Sequence, residues 1–188
     1  MSDQDRTKWN AKFRDGSHTS TEPSSFLVAQ AAQLPQAGRA LDIAGGVGRN
    51  ALWLAARGLS VTIADNSDVG LSMARERAAA AQLPLHTQLI DLELEPLPPG
   101  PWDLVVKVLY MQRSLFAAIP DVLRPGGLLV CVQPTVENLE RHPKPPRSHL
   151  LQAGELRGLV QGLDILQLDE DWSVDGYHDA CVLARKPA

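Results

Sequence analysis

The stretch from Gly38 to Leu52, Gly-Arg-Ala-Leu-Asp-Ile-Ala-Gly-Gly-Val-Gly-Arg-Asn-Ala-Leu, constrains this chain more than any other. An apolar run reaches Asp42 and breaks into a turn too rich in glycine to hold side chains. A helix-forming run, Arg49 to Arg57, follows at once. Strand, Gly-rich turn and helix in that order let backbone N–H groups and a helix N-terminus approach a nucleotide-like ligand. Gly46-Val-Gly48-Arg-Asn-Ala51 also fits the loose dinucleotide pattern G-x-G-x-x-G/A, so the turn alone leaves two classes of nucleotide open.

The flanking residues supply the architecture. Thr7–Arg14 reads as an amphipathic helix with Trp9 and Phe13 one turn apart, and Ser24–Leu34 as a second, serine-capped and stopped before Pro35. Strands are expected at Arg39–Ile43, Ser60–Ala64, Leu85–Ile90, Trp102–Val108 and Leu128–Gln133. Helices at Arg49–Arg57, Ser67–Ala81 and Ser114–Leu123 alternate with them, Gly58 ending the first and Ser67 capping the second. Residues 134–148, with several prolines, read as an irregular loop. A helix at Ala153–Gln161 and strands at Leu163–Leu168 and Tyr177–Ala184 finish the chain. Only Asp169–Gly176 separates those last strands, too few residues for a helical crossover, so they should pair antiparallel. The fold class is therefore α/β: a doubly wound, Rossmann-like seven-stranded sheet, mostly parallel with an antiparallel C-terminal strand, helices on both faces. With 188 residues and no dividing linker, one domain is expected: a helical cap over 1–36 and the Rossmann-like core over 37–188.

Charge narrows the partners. A net charge of −4 with no dense Lys/Arg block argues against a nucleic-acid backbone, and no apolar run approaches a membrane span. The first residues, Met1 to Lys8, are polar and lack an apolar signal core, which points to a cytoplasmic setting. Cys131 and Cys181 lie in apolar runs without metal-ligand spacing, so both read as small hydrophobes and no metal site is expected.

Three acids end three consecutive strands: Asp42, Asp65 and Asp91. In an open α/β sheet ligands bind outside these carboxyl ends, where the strand order switches. Asp65 lies about twenty residues beyond Gly46, the separation at which an acid meets both ribose hydroxyls of a nucleoside. Taken in order, Leu41-Asp42-Ile43-Ala44-Gly45-Gly46-Val47-Gly48, Val61-Thr62-Ile63-Ala64-Asp65, Asp91-Leu92, Asp103-Leu104-Val105-Val106 and Leu123-Arg124-Pro125-Gly126-Gly127 resemble the class I S-adenosylmethionine-dependent methyltransferases. Lys8-Trp9-Asn10 with Phe13, the run Gly46–Leu52, and Tyr110-Met-Gln-Arg113 before Leu115-Phe116 extend the likeness to the small group that includes the tellurite-resistance methyltransferases.

The resemblance implies S-adenosylmethionine as cofactor and assigns roles. Gly46 and Gly48 would let the backbone pass close to the methionine part, Asp42 would receive its ammonium, and Asp65 would hold the ribose. Asp91 would accept from the adenine amino group, with Leu92 bounding the ring. Ala44, Gly45, Asn50 and Asn66 complete the implied cofactor-binding set. Two residues depart from the family pattern. Ala44 replaces the usual first glycine, which suits only a position without positive φ. Leu109 replaces a commonly polar residue beside the methyl end.

Methyl transfer from a sulfonium relies mainly on positioning, with a general base needed only for a protonated acceptor. Candidates for a catalytic part are Tyr110, Arg113, His18 and His149, with His142 beside them; Arg113 would attract an anionic acceptor, and Trp9 and Phe13 would line a lid. A small-molecule acceptor is the partner expected. Two alternatives stay open at this point: an NAD-dependent oxidoreductase using Gly46–Ala51 and Asp65, and a non-catalytic adenosylmethionine binder.

Overall fold

The computed structural model describes residues 3–173 and 175–188. Met1 and Ser2, which open the polar N-terminal run, and Val174, inside the expected 169–176 connection, lie outside the described residues. The strands are β1 (Arg39–Ile43), β2 (Ser60–Asp65), β3 (Leu85–Leu89), β4 (Trp102–Val108), β5 (Leu123–Pro134), β6 (Asp164–Trp172) and β7 (His178–Arg185). The helices are α1 (Asp3–Arg14), α2 (Ser25–Ala29), α3 (Arg49–Ala56), α4 (Asp68–Ala80), α5 (Ser114–Val122) and α6 (Glu155–Leu159).

All seven strands join one sheet in the order β3-β2-β1-β4-β5-β7-β6. Strands β1 to β5 pair in parallel, and β7 runs antiparallel to both β5 and β6. Successive side chains of a strand point to opposite faces, and apolar runs without polar alternation bury both. On one face Leu41, Ile43, Val105, Leu129 and Cys131 pack with Phe116 and Ile119 of α5. On the other, Ala40, Ile63, Val106 and Val130 pack with Leu54 of α3 and Leu71 and Ala74 of α4. The strand order switches between β1 and β4, and Ile43 pairs with Lys107 as the last couple of that ladder. Beyond that couple Ala44 leaves the sheet while Val108 stays paired with Val132 of β5, which opens the sheet at the point where such folds bind ligands.

Several elements depart from expectation where long-range contacts outweigh local pattern. The helix expected to Leu34 is α-helical only to Ala29, and the Ser24 side chain does not cap it. The Ser24 backbone amide donates instead to Asn50 Oδ1 of α3 at 2.9 Å. Ser67 does cap α4, its hydroxyl accepting from the Gly70 amide at 3.0 Å. Residues 134–148 are not wholly irregular: single 3₁₀ turns form at Val136–Glu140 and Arg147–His149. The first terminal strand runs on to Trp172 rather than Leu168, because its antiparallel ladder continues to the pair Trp172–His178, and the last spans His178–Arg185 rather than Tyr177–Ala184.

Candidate functional site

A cavity of about 230 Å³ opens at the switch point, and its floor is the Gly-rich turn, Ala44 to Val47. Ala44 has φ +53°, so the condition attached to it at the sequence level fails: the position does require left-handed backbone, and an alanine occupies it. Its amide donates to Ala64 O at 2.7 Å, which ties the turn to β2. Gly46 is also left-handed, and a Cβ there would come within 3.0 Å of Phe13 Cζ. Two further non-glycine residues with positive φ, His18 and Leu109, line the same cavity. Left-handed conformations cost an L-residue roughly 1–2 kcal/mol and gather where the surrounding structure has to hold a site.

Two strand-end acids stand behind the turn. Asp65 lines the cavity and is already busy: Oδ2 accepts from the Gly46 amide and Oδ1 from the Ser67 amide, each at 2.8 Å. Burial pushes its carboxyl up while these amides pull it down. Asp42, 1% exposed, has an Oδ2 with no hydrogen-bond partner. Burial raises its pKa to about 7, with Arg49 opposing and Asp65 adding to the rise. Gly45 makes room for it, since a Cβ there would sit 2.6 Å from that oxygen. Asn66, beside Asp65 on the cavity wall, also buries an unpartnered side-chain oxygen.

Asp91 and Leu92 do not line the cavity. Asp91 Oδ1 accepts from the Glu93 amide at 3.0 Å, and Leu92 is buried in the core. Their link to the site is indirect: Gln112 Nε2 donates to Leu92 O at 2.8 Å, and Gln112 Oε1 accepts from Tyr110 Oη at 2.5 Å. Gly48, at φ +82°, opens α3, where a Cβ would crowd Ala74 and Ile63 at 3.1 Å. Asn50 is spent on the Ser24 amide.

Of the catalytic candidates, Tyr110 and His18 line the cavity. Burial of its ring raises the Tyr110 pKa, and the carboxylates of Glu93, Asp91, Asp65 and Asp5 add to that. Burial and then Lys12, whose Nζ lies 3.4 Å from Nε2, lower that of His18. Arg113 and His149 stand outside. Arg113 is engaged by Glu155, at 2.5 and 2.9 Å, and by the Leu150 carbonyl at 2.9 Å. His149 Nδ1 meets Ser148 Oγ at 3.0 Å, and His142 stacks on Tyr177 with ring centroids 4.7 Å apart. Trp9 and Phe13 do close one wall, from α1. Sequence reading overlooked Arg49 and Ser20 in the lining, and the buried Lys107 beneath it. A lysine inside the apolar run Trp102–Val108 was the available signal.

Residues 40–127 match the family model described as a methyltransferase domain. The match takes in the Gly-rich turn, Asp65 and the corner after β4. Solved structures share the methyltransferase fold. TehB from Haemophilus influenzae superposes with a TM-score of 0.76 at 20% identity, over 94% of this chain and 67% of its own. An S-adenosylmethionine-dependent methyltransferase from Mesorhizobium loti gives 0.69 at 21%, over 89% and 100%. Phosphoethanolamine N-methyltransferase 2 from Haemonchus contortus, solved with phosphomonomethylethanolamine and S-adenosylhomocysteine, gives 0.71 at 17%, over 97% and 58%. No curated protein matches the chain by sequence. Among the described residues no helix is long and apolar enough to cross a membrane, and no group of three His, Cys, Asp or Glu could hold a metal ion.

The cavity suits the methyltransferase cofactor. S-adenosylmethionine carries an ammonium and a ribose diol, both hydrogen-bond donors. Asp42 Oδ2 and Asn66 Oδ1 are buried acceptors without partners, the situation that costs most when nothing fills it. Asp65 Oδ2 accepts from the Gly46 amide and Oδ1 from the Ser67 amide, with the Asn66 amide also favouring the carboxylate. The roughly four acceptor directions of a carboxylate leave room for a further donor.

Proposed function

We propose that this methyltransferase domain moves a methyl group from S-adenosylmethionine to a small-molecule acceptor. The observation that carries the reading is a pair of unpartnered acceptors at a cavity by the β1–β4 switch point: Asn66 Oδ1 in its wall and Asp42 Oδ2 beneath the Gly-rich turn that floors it. When bound, the cofactor supplies an electrophilic sulfonium methyl. The rest is the protein's own work. Asp42 and Asn66 receive the ammonium, Asp65 the ribose hydroxyls, and the Ala44–Gly48 backbone lies against the methionine part. Gln112 ties the loop after β3 to Tyr110 at the cavity's edge. Trp9 and Phe13 keep water from the reacting end.

Tyr110 and His18 face the space left for an acceptor. With its pKa lowered, His18 is neutral near pH 7 and able to take a proton from an acceptor that has one to lose. Arg113, committed to Glu155, has no part in acceptor binding.

Calorimetric titration with S-adenosylhomocysteine, with NAD in parallel, tests the reading. Micromolar binding of the first alone is expected. Tight NAD binding without it would move the domain to the oxidoreductase alternative. Cofactor binding with no turnover on any acceptor in a broad panel would leave a binding protein.

A further inference from the structure

The alternation of β4 sends Val106 and Val108 to the α3–α4 side of the sheet and Val105 and Lys107 to the α5 side. Lys107 pairs in register with Ile43 on one flank and Cys131 on the other, and its side chain is 0% exposed. A buried ammonium without a counter-ion is destabilising by several kcal/mol. Lys107 makes no ion pair among the described residues. Its Nζ donates to the Tyr110 carbonyl, and it lies 4.3 Å from the centre of the Phe116 ring. The titratable and charged groups facing it are Cys131 of β5 and Arg113 ahead of α5. Burial lowers its pKa, Cys131 opposes that, and Arg113 adds to it. A leucine or methionine would fill this place and keep the packing on the Phe116 ring, so what the ammonium adds is its hold on the Tyr110 carbonyl, with the Phe116 and Tyr110 rings beside it.

The carbonyl belongs to the corner after β4, where the backbone is least comfortable. Leu109 has φ +59° with its side chain 55% exposed, an L-residue in the left-handed region with nothing local to favour it. Two bonds straddle it. The Leu109 amide donates to Val132 O at 2.9 Å, and Lys107 takes the Tyr110 carbonyl. Val108, Leu109 and Tyr110 all line the cavity, and Tyr110 passes the constraint through Gln112 to Leu92.

We propose that Lys107 is a positioning residue: from within the core it clamps the Leu109–Tyr110 corner in its left-handed form and so shapes the wall that the cofactor and acceptor meet. The functional half of this rests on the reading that the cavity binds S-adenosylmethionine. The mechanical half does not.

Lys107→Met keeps length and removes the ammonium. Its thermal midpoint should equal or exceed that of the unaltered protein, because a buried charge is gone. Amide exchange across 109–113 in the cofactor-free protein should quicken by about tenfold, and affinity for S-adenosylhomocysteine should fall about tenfold, ~1.4 kcal/mol. Glycine accepts positive φ without strain, so in a Leu109→Gly background the same lysine change should cost less than about threefold. Lys107→Gln, which retains an N–H donor, should bind more tightly than Lys107→Met and is the working variant if the latter does not fold. Equal losses in both Leu109 backgrounds, or affinity falling only in step with the thermal midpoint, would reduce Lys107 to a structural residue and overturn the proposal. Unchanged exchange across 109–113 would overturn the clamp itself. Absence of S-adenosylhomocysteine binding by the unaltered protein would sink the cofactor reading and the functional half with it, while the exchange measurement still decides the mechanical half.

Discussion

Asp42 puts an acid where burial holds its proton to about pH 7, and the cofactor reading gives that proton somewhere to go. In the free protein the carboxyl's pKa is raised above 3.8, so the folded state keeps a proton that the unfolded chain releases. For this group, stability is greatest below about pH 4, falls as pH rises toward 7, and is flat above. A ligand ammonium reverses the preference. It favours the carboxylate, lowers the pKa in the complex, and leaves the complex with fewer protons than the free protein. Affinity for S-adenosylhomocysteine should therefore rise between about pH 5.5 and about pH 7 and then level. Asp42→Asn should flatten the profile. Calorimetric affinities at three pH values check both, and a flat profile in the unaltered protein would place the ammonium elsewhere. The acid itself was legible from its strand-end position. The left-handed backbone two residues on was not, because nothing about an alanine announces φ +53°; the turn's bond to Ala64 and its contacts with neighbouring elements impose it.

Among the elements, α1 contributes most to the site while owning least of the core. Its seat is the start of α4. Asn10 donates to Asp68 at 2.8 Å and accepts from Ser67 Oγ at 2.6 Å, and Arg6 bonds Asp68 at 3.1 Å. Between these bonds Phe13 lies over Gly70 and Gly46, where added Cβ atoms would approach its ring to 2.8 and 3.0 Å. Gly70→Ala sets two effects against each other. Alanine improves helix propensity by about 1 kcal/mol, and its methyl displaces the ring that closes the cavity. The expected outcome is a global stability within about 1 kcal/mol of the original with faster proteolysis before residue 20 and affinity for S-adenosylhomocysteine several-fold weaker. Unaltered proteolysis and affinity would mean that the ring yields freely and the lid does not depend on Gly70. The pairing of Trp9 with Phe13 marked a helix in the sequence. Its start at Asp3 rather than Thr7 was not marked, since polar first turns carry no apolar period. Strands β1 and β4 have the limits their apolar runs imply. Strand β5 begins at Leu123 because that residue pairs with Trp102, a contact no local window contains. The same holds for Arg113, whose partner Glu155 lies 42 residues away and takes it out of the site.

At the scale of the whole molecule the question is whether seven strands and two apolar layers open as one unit, and the two cysteines are placed to answer it. Cys131 sits within the layer under α5 and Cys181 packs against the opposite layer, on neighbouring strands joined by the pairs Cys131–Val182 and Val132–Cys181. Burial raises both thiols, Lys107 opposing at Cys131, while Asp179 adds to the rise that takes Cys181 to about 12. Neither is a ready thiolate near pH 8: fully buried Cys131 reacts only on opening, and half-buried Cys181 reacts far faster opened than folded. If the layers open together, the two cysteines should label at matching rates set by the same global equilibrium. Saturating S-adenosylhomocysteine, at about a hundredfold its dissociation constant, should slow both about a hundredfold, since it binds only the closed form. Mass spectrometry of labelled peptides reads each site separately. A Cys181 that labels early and ignores the ligand would show that β6 and β7 detach on their own, leaving β1 to β5 as the part of the sheet whose stability the cofactor controls.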